Sequence, residues 1–216
     1  MSSENKIESV DVPSSMFKLF KKQEPNIIDF FSNLVHDIKK GTNTIYGERY
    51  RYINANALTY QLRDSLEKML GESGASIVLY NMGKALGSAD CKKIAKTYRL
   101  TDTFDKLSAG PIYFNFAGWA YVKILPGSKL VRSEDYLLIY DHPNSFEVNK
   151  SANKKTCYIN AGYSCGWCSE ALDLPLVARE ISCESKGDKS CRFIMAHRDK
   201  IMEHLKDTKI KEYLKI

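Results

Sequence analysis

The feature that most constrains this chain is a set of four soft or anionic side chains, Cys157, Glu180, Cys183 and Cys191, gathered in "TCYINAGYSCGWCSEALDLPLVAREISCESKGDKSCRF". Three thiolates and a carboxylate match the tetrahedral donor set that Zn²⁺ accepts, with sulfurs at ~2.3 Å. Any fold that uses them together must bring separate segments to one point. Residues 176–181 read as a strand and 192–195 as the next, with a hairpin loop between them carrying Gly187-Asp188. Cys183 and Cys191 then stand at the two feet of one loop. Glu180 and Cys183 are three apart and would face opposite sides of a regular strand, which demands a bulge or a strand end near Ser182. Cys157 is expected on a neighbouring strand, "TCYIN". Four anionic ligands would overcharge a dication, and Arg179, Lys186, Lys189 and Arg192 are placed to offset the excess. The competing reading is that the four are simply packed, since free cysteine is among the most buried residue types.

With 216 residues the chain is long enough to bury a substantial core as one domain with terminal extensions. It has no N-terminal stretch resembling a signal peptide, and no run of about 18 apolar residues to make a transmembrane segment. A cytoplasmic, reducing location is expected, where six cysteines are metal ligands or core residues rather than disulfides. The net charge of +6 comes from scattered lysine pairs (Lys21-Lys22, Lys39-Lys40, Lys92-Lys93, Lys154-Lys155). Aromatics do not interleave with them as in a single-strand-binding groove, so the charge is read as solvated surface and no nucleic-acid partner is expected.

Along the chain, residues 1–15 read as a flexible polar tail. A helical extension over 16–48 follows, with Ile27, Ile28, Phe30, Phe31, Leu34, Val35 and Ile38 at helical spacing. That face needs a partner, either the core or a second copy of the chain. After a strand-like 49–53, one helix runs through Leu58, Leu62, Leu66 and Leu70 to Gly71. A second runs through Ala75, Val78, Leu79 and Met82 and stops at Gly87, and a third, shorter and basic, holds Cys91. "GPIYFNFAGWAYVKIL" reads as strand, with Ile112, Phe114 and Phe116 on one face and then Ala120, Val122 and Ile124. "EDYLLIYDH" is a further strand. The expected class is α+β, a twisted antiparallel sheet packed against helices. The aromatics are either core or the lining of a cavity for an apolar ligand. Residues 197–216 read as a helix, with Ile201, Met202, Leu205, Ile210, Tyr213 and Leu214 at helical spacing. It is read as a packing helix, with a membrane-surface role as the alternative.

"GYSCGWCSEALDLPLVAREISCESKGDKSCRF" resembles the hallmark of the 4-vinyl reductase domain: Gly-Tyr, a small helix with Gly and Ser-Glu, Glu-x-x-Cys, then Lys-Gly-Asp-x-x-Cys-Arg-Phe. "NALTYQLRDSLEKMLGESGASIVLYNMGKALG", "LSAGPIYFNFAGWAYV" and "NSFEV" resemble the rest of the effector-sensing region of aromatic-responsive activators that contain this domain. The resemblance implies a ligand-binding domain over 49–196 that dimerises and takes a small hydrophobic molecule. It also implies a structural Zn²⁺ held by Cys157, Glu180, Cys183 and Cys191. In the phenol-type sensors a His and a Trp orient the ligand hydroxyl, and those positions fall on Phe114 and His142. Phe114 cannot hydrogen-bond whereas His142 can, a departure from simple phenol recognition. The expected ligand-binding set is Phe114, Trp119, Tyr140 and His142. A similar fold occurs in vesicle-tethering (TRAPP) subunits that hold an acyl chain, so a lipid-like guest or a tethering role is an alternative. No phosphate loop is present, so a protein partner would have to read the result.

A rival of another class is Cys165-Gly166-Trp167-Cys168, a C-x-x-C read at a strand-to-helix junction, where a helix dipole lowers a thiol pKa in thiol-disulfide redox proteins. No βαβ unit precedes it. The histidines His36, His142, His197 and His204 show no His-Glu-x-x-His spacing, and a zinc with four protein ligands leaves no place for water. No catalytic residue is assigned, and the chain is not expected to be an enzyme.

Overall fold

The computed structural model describes residues 7–207. Its centre is a five-stranded sheet in the order β1 (Val10–Asp11), β5 (Val122–Ile124), β6 (Leu137–Asp141), β8 (Arg192–His197) and β7 (Leu176–Ser182). All pairings are antiparallel except β1 with β5. The class is α+β, as expected. Side chains alternate across the sheet: Leu138, Tyr140, Phe193 and Met195 enter the main core. Ile194 and Ala196 face the other way, onto Ile201 and Leu205 of the short helix α6 (Ile201–Lys206). The described part of the C-terminal segment thus packs on the sheet; the expected helix beyond residue 207 lies outside the described residues.

The inner face is covered by α3 (Arg63–Thr97), α4 (Thr103–Phe116) and α5 (Tyr158–Leu172). α3 and α5 cross on four glycines. A Cβ on Gly83 would lie 2.1 Å from the Ile159 carbonyl oxygen and one on Gly87 2.1 Å from that of Tyr163. Reciprocally, one on Gly162 would lie 2.0 Å from Tyr80 O and one on Gly166 2.0 Å from Lys84 O. Backbones this close exclude any side chain. Gly87 therefore does not stop a helix as expected: α3 runs on to Thr97, and Cys91 lies buried on that same helix. The break at Gly71 is present, with φ 70° and ψ 169°, but the helix resumes at once. A π-helical turn, Ala57–Leu62, opens the stretch that precedes this break.

Three expected elements are corrected. Residues 103–116 are helix rather than strand, with the Asp102 carboxylate capping the amides of Phe104 and Asp105. Ile112, Tyr113 and Phe114 are all buried, and a helix apolar on every side carries no period that separates it from a strand. The expected helical extension is only partly helical: α1 (Phe17–Lys21) and α2 (Glu24–Ser32) give way to an antiparallel β2 (Leu34–Asp37), β3 (Thr42–Ile45) and β4 (Glu48–Tyr50). Tyr46 and Gly47 both adopt positive φ between β3 and β4, the backbone of a tight hairpin. Ile27, Phe30 and Ile45 join the main core, whereas Val35 and Ile38 stay exposed. The expected N-terminal tail contributes Ile7 and Val10 to that core and β1 to the sheet edge.

Candidate functional site

The register of β7 against β8 shifts between Glu180 and Ser182. This irregularity, which the spacing of Glu180 and Cys183 demanded, brings the two side chains together. Cys157 Sγ lies 4.0 Å from Cys183 Sγ and 3.5 Å from Cys191 Sγ, and Cys191 Sγ lies 3.9 Å from Cys183 Sγ. Sulfurs at ~2.3 Å from a tetrahedral zinc would stand roughly 3.8 Å apart. All four ligand atoms fall within 4.8 Å of one another. One carboxylate oxygen of Glu180 accepts from Cys157 N at 3.2 Å, while the other is buried with no partner. Hydrogen bonds from Cys157 and Cys191 hold the Cys183 thiol far below its ordinary range. Cys157 is pushed up by its contacts with Cys183 and Cys191 and then by burial, and Glu180 by burial and then Cys183. Left to themselves the four donors favour few charges. A bound cation is what would let all of them ionise, and geometry, donor chemistry and the orphaned oxygen all fit one.

Cys157 does not arrive on a strand. It is the N-cap residue of α5, and its side chain makes no capping bond. Glu147 caps in its place, its two oxygens accepting from Ile159 N (3.0 Å) and Asn160 N (2.7 Å). Fully buried, Glu147 is pushed up to about 7 by desolvation, which those two amides oppose. The side-chain amide of Asn160 donates to Ser145 Oγ at 2.8 Å, and Ser145 Oγ sits 3.5 Å from Cys157 Sγ. Of the cations expected to balance the site, Arg192 is engaged by Asp141 at 2.7 and 2.9 Å. Lys155, not anticipated, donates to Glu180 O at 2.8 Å.

Beside this clasp lies a small apolar cavity of about 30 Å³, walled by Pro111 and Phe114 of α4, Ile124 of β5, Tyr140 and His142 at the end of β6, and Tyr163 and Trp167 of α5. One buried water needs roughly 10–15 Å³ by the same measure. The His142 ring packs 4.6 Å from Phe114, 4.7 Å from Phe193 and 5.0 Å from Tyr140, centroid to centroid. Burial lowers its pKa to about 3, so the imidazole is neutral, and its Nδ1 has no hydrogen-bond partner. The Tyr140 hydroxyl is likewise unpaired at hydrogen-bonding distance; burial pushes it well above the ordinary value, with Ser164 offsetting part of the effect. Tyr163 instead donates to Asp90 at 2.6 Å, and burial raises Asp90 to about 6.

The structure thus gathers Phe114, Tyr140 and His142 around one cavity. Trp119 does not reach it: following the tight turn at Gly118, it stacks behind the wall, 5.9 Å from Phe114 and 4.9 Å from Tyr163. The lining from α5 (Tyr163, Ser164, Trp167, Cys168) was not anticipated, because that segment reads first as a cysteine motif. Cys165 and Cys168 lie inside α5, far from its N-terminus, so no helix dipole activates them. Cys165 donates to Leu176 O at 3.0 Å, and burial pushes Cys168 up to about 12.

Residues 29–126 match the model of a protein family described as "Activator of aromatic catabolism". The chain is 25% identical over 194 residues, 84% of its length, to the "Phenol regulator MopR" of Acinetobacter guillouiae, and it spans 34% of that protein. Its fold is similar to the crystal structure of the phenol-responsive sensory domain of the transcription activator PoxR with phenol. That likeness has a TM-score of 0.69 at 22% identity and covers 89% of this chain and 96% of the other.

Proposed function

We propose that this chain is a small-molecule sensor whose cavity takes one small, uncharged, ring-bearing molecule. The observation that carries the reading is the cavity wall itself: aromatic rings around a neutral imidazole whose Nδ1 is unpaired, next to an unpaired tyrosine hydroxyl. Unpaired buried polar atoms are costly, and a guest hydroxyl would relieve that cost. Among the described residues no carboxylate, lysine or arginine lines the cavity, so a charged guest would lose its hydration with nothing to replace it. The similarity to a phenol regulator, to a phenol-responsive sensory domain and to a family described as an activator of aromatic catabolism supports the same chemistry. At about 30 Å³ the closed cavity is well below the roughly 150 Å³ that admits benzene, so a ring would enter only as the aromatic walls move apart, and a long acyl chain would need a far larger displacement.

Zn²⁺ held by Cys157, Glu180, Cys183 and Cys191 would act as a structural brace, with no open position for catalysis. The chain's own residues do the sensing: occupancy of the cavity favours one of two packings by differential affinity. Phe114, Tyr140 and His142 would touch the guest, and Trp119 would support Phe114 from behind. Val35, Ile38, Tyr52 and Ile53 are exposed by 57%, 92%, 71% and 64%, and a homodimer contact would be expected to cover apolar side chains of this kind. The six unpaired cysteines suit a reducing cytoplasm. No helix among the described residues is long and apolar enough to cross a membrane. Calorimetric titration of the purified protein with phenol and toluene tests the reading. Saturable 1:1 binding is expected, and no binding of either would overturn it.

A further inference from the structure

The arm formed by residues 57–70 is attached to the rest of the molecule in an unusual way. At its far end the chain passes through Gly71 with φ 70° and ψ 169°, a conformation open essentially to glycine alone. Lys154 ties across this point, reaching Glu67 on the arm at 3.0 Å and Glu72 beyond it at 3.5 Å. The arm begins with π-helical Ala57–Leu62, and it leaves Tyr60, Met69 and Leu70 exposed.

Its seat is buried and polar. The Arg63 guanidinium, 4% exposed, donates to the Thr156 carbonyl, stands 3.5 Å from Glu147 Oε1 and lies 5.7 Å over the Tyr158 ring. Nε and Nη1 of the same group have no partner. Thr59 Oγ1 adds a bond to the Phe146 carbonyl at 2.8 Å. A buried cation left partly unpaired is held only weakly against water, so this seat is poised to open.

The seat belongs to the clasp and the cavity at once. Glu147 caps α5, Thr156 precedes Cys157, and Phe146 packs against Trp119, which stacks on Phe114. We propose that residues 57–70 form a hinged arm, docked through Arg63 on Glu147 and Thr156 and pivoting at Gly71, whose release reports the state of the clasp and cavity. The coupling to an aromatic guest rests on the function proposed above; the hinge does not.

The test is amide hydrogen exchange on the metal-loaded full chain, comparing wild type with Arg63→Met and Gly71→Ala. Arg63→Met removes the seat, and Gly71→Ala favours a straight helix that carries the arm off it. Both should speed exchange across 57–70 by about tenfold or more while 158–172 changes by less than about twofold. Unchanged exchange in the arm, or equal acceleration in α5, would overturn the proposal. Should Arg63→Met fail to fold, Lys154→Met, which cuts only the tie across the hinge, must still loosen the arm selectively. Phenol is then added to the wild type. A change in arm exchange supports the coupling. An arm that both variants release but that ignores phenol upholds the hinge and counts against the aromatic reading.

Discussion

The backbone amide of His142 donates to the carbonyl of Cys191 at 2.9 Å. One residue forms the polar point of the cavity wall and the other is a ligand of the clasp, so neither can move without the other. If the metal braces the cavity, its loss must loosen the wall that faces the guest.

The purified protein should therefore carry about one zinc per chain. Cys183→Ser should lose it and lower stability by several kcal/mol, since binding energy at such a site is also folding energy. Metal analysis with thermal unfolding checks this. Full stability in a metal-free Cys183→Ser protein would remove the structural role.

Replacing His142 with leucine should act in two directions. Removing a buried imidazole with an unpaired nitrogen should leave stability unchanged or slightly higher. Binding of a hydroxylated ring should weaken by about tenfold, a loss of roughly 1.4 kcal/mol, whereas binding of toluene should hold. Parallel loss of phenol and toluene binding would mean that His142 matters only for shape.

Asp90 supplies a pH signature. Burial raises its folded pKa to about 6, above the ordinary 3.8 of an aspartate. A raised carboxyl contributes most below its unfolded pKa and loses that contribution as pH rises through its folded value. Between about pH 4 and 7 the wild type should thus lose about 1–2 kcal/mol relative to Asp90→Asn, allowing for the partial exposure of the carboxyl. Comparing the two proteins cancels any acid release of metal. A constant difference across that range would refute the assignment.

Gly83→Ala and Gly166→Ala each place a Cβ within about 2 Å of a facing carbonyl oxygen. The helices must separate, and each substitution should cost about 3 kcal/mol or more in denaturant unfolding. Tolerance of either would show that α3 and α5 are not in backbone contact.

What could be read from the sequence follows from how each signal arises. The strands around β6, β7 and β8 and the bulge near Ser182 were legible because a period of two forces Glu180 and Cys183 apart unless the backbone yields. The grouping of the four clasp residues was legible from their chemistry. Cys157 was misplaced on a strand because its helix has no local cap; Glu147, ten residues earlier, does that work. α4 was hidden because its middle, residues 107–114, is apolar and largely buried all round, and Gly87 looked like a helix end because nothing local distinguishes a terminating glycine from one that meets another helix. The cavity lining on α5 was masked by its cysteines, which lie buried within the helix and away from its N-terminus.

The most direct test of the sensor reading is calorimetric titration of the zinc-loaded protein at pH 7 with phenol and, separately, with benzoate. Phenol should bind one molecule per chain, and benzoate, of similar size but charged, should not bind. Benzoate binding as tight as that of phenol, or no binding of phenol at all, would contradict it.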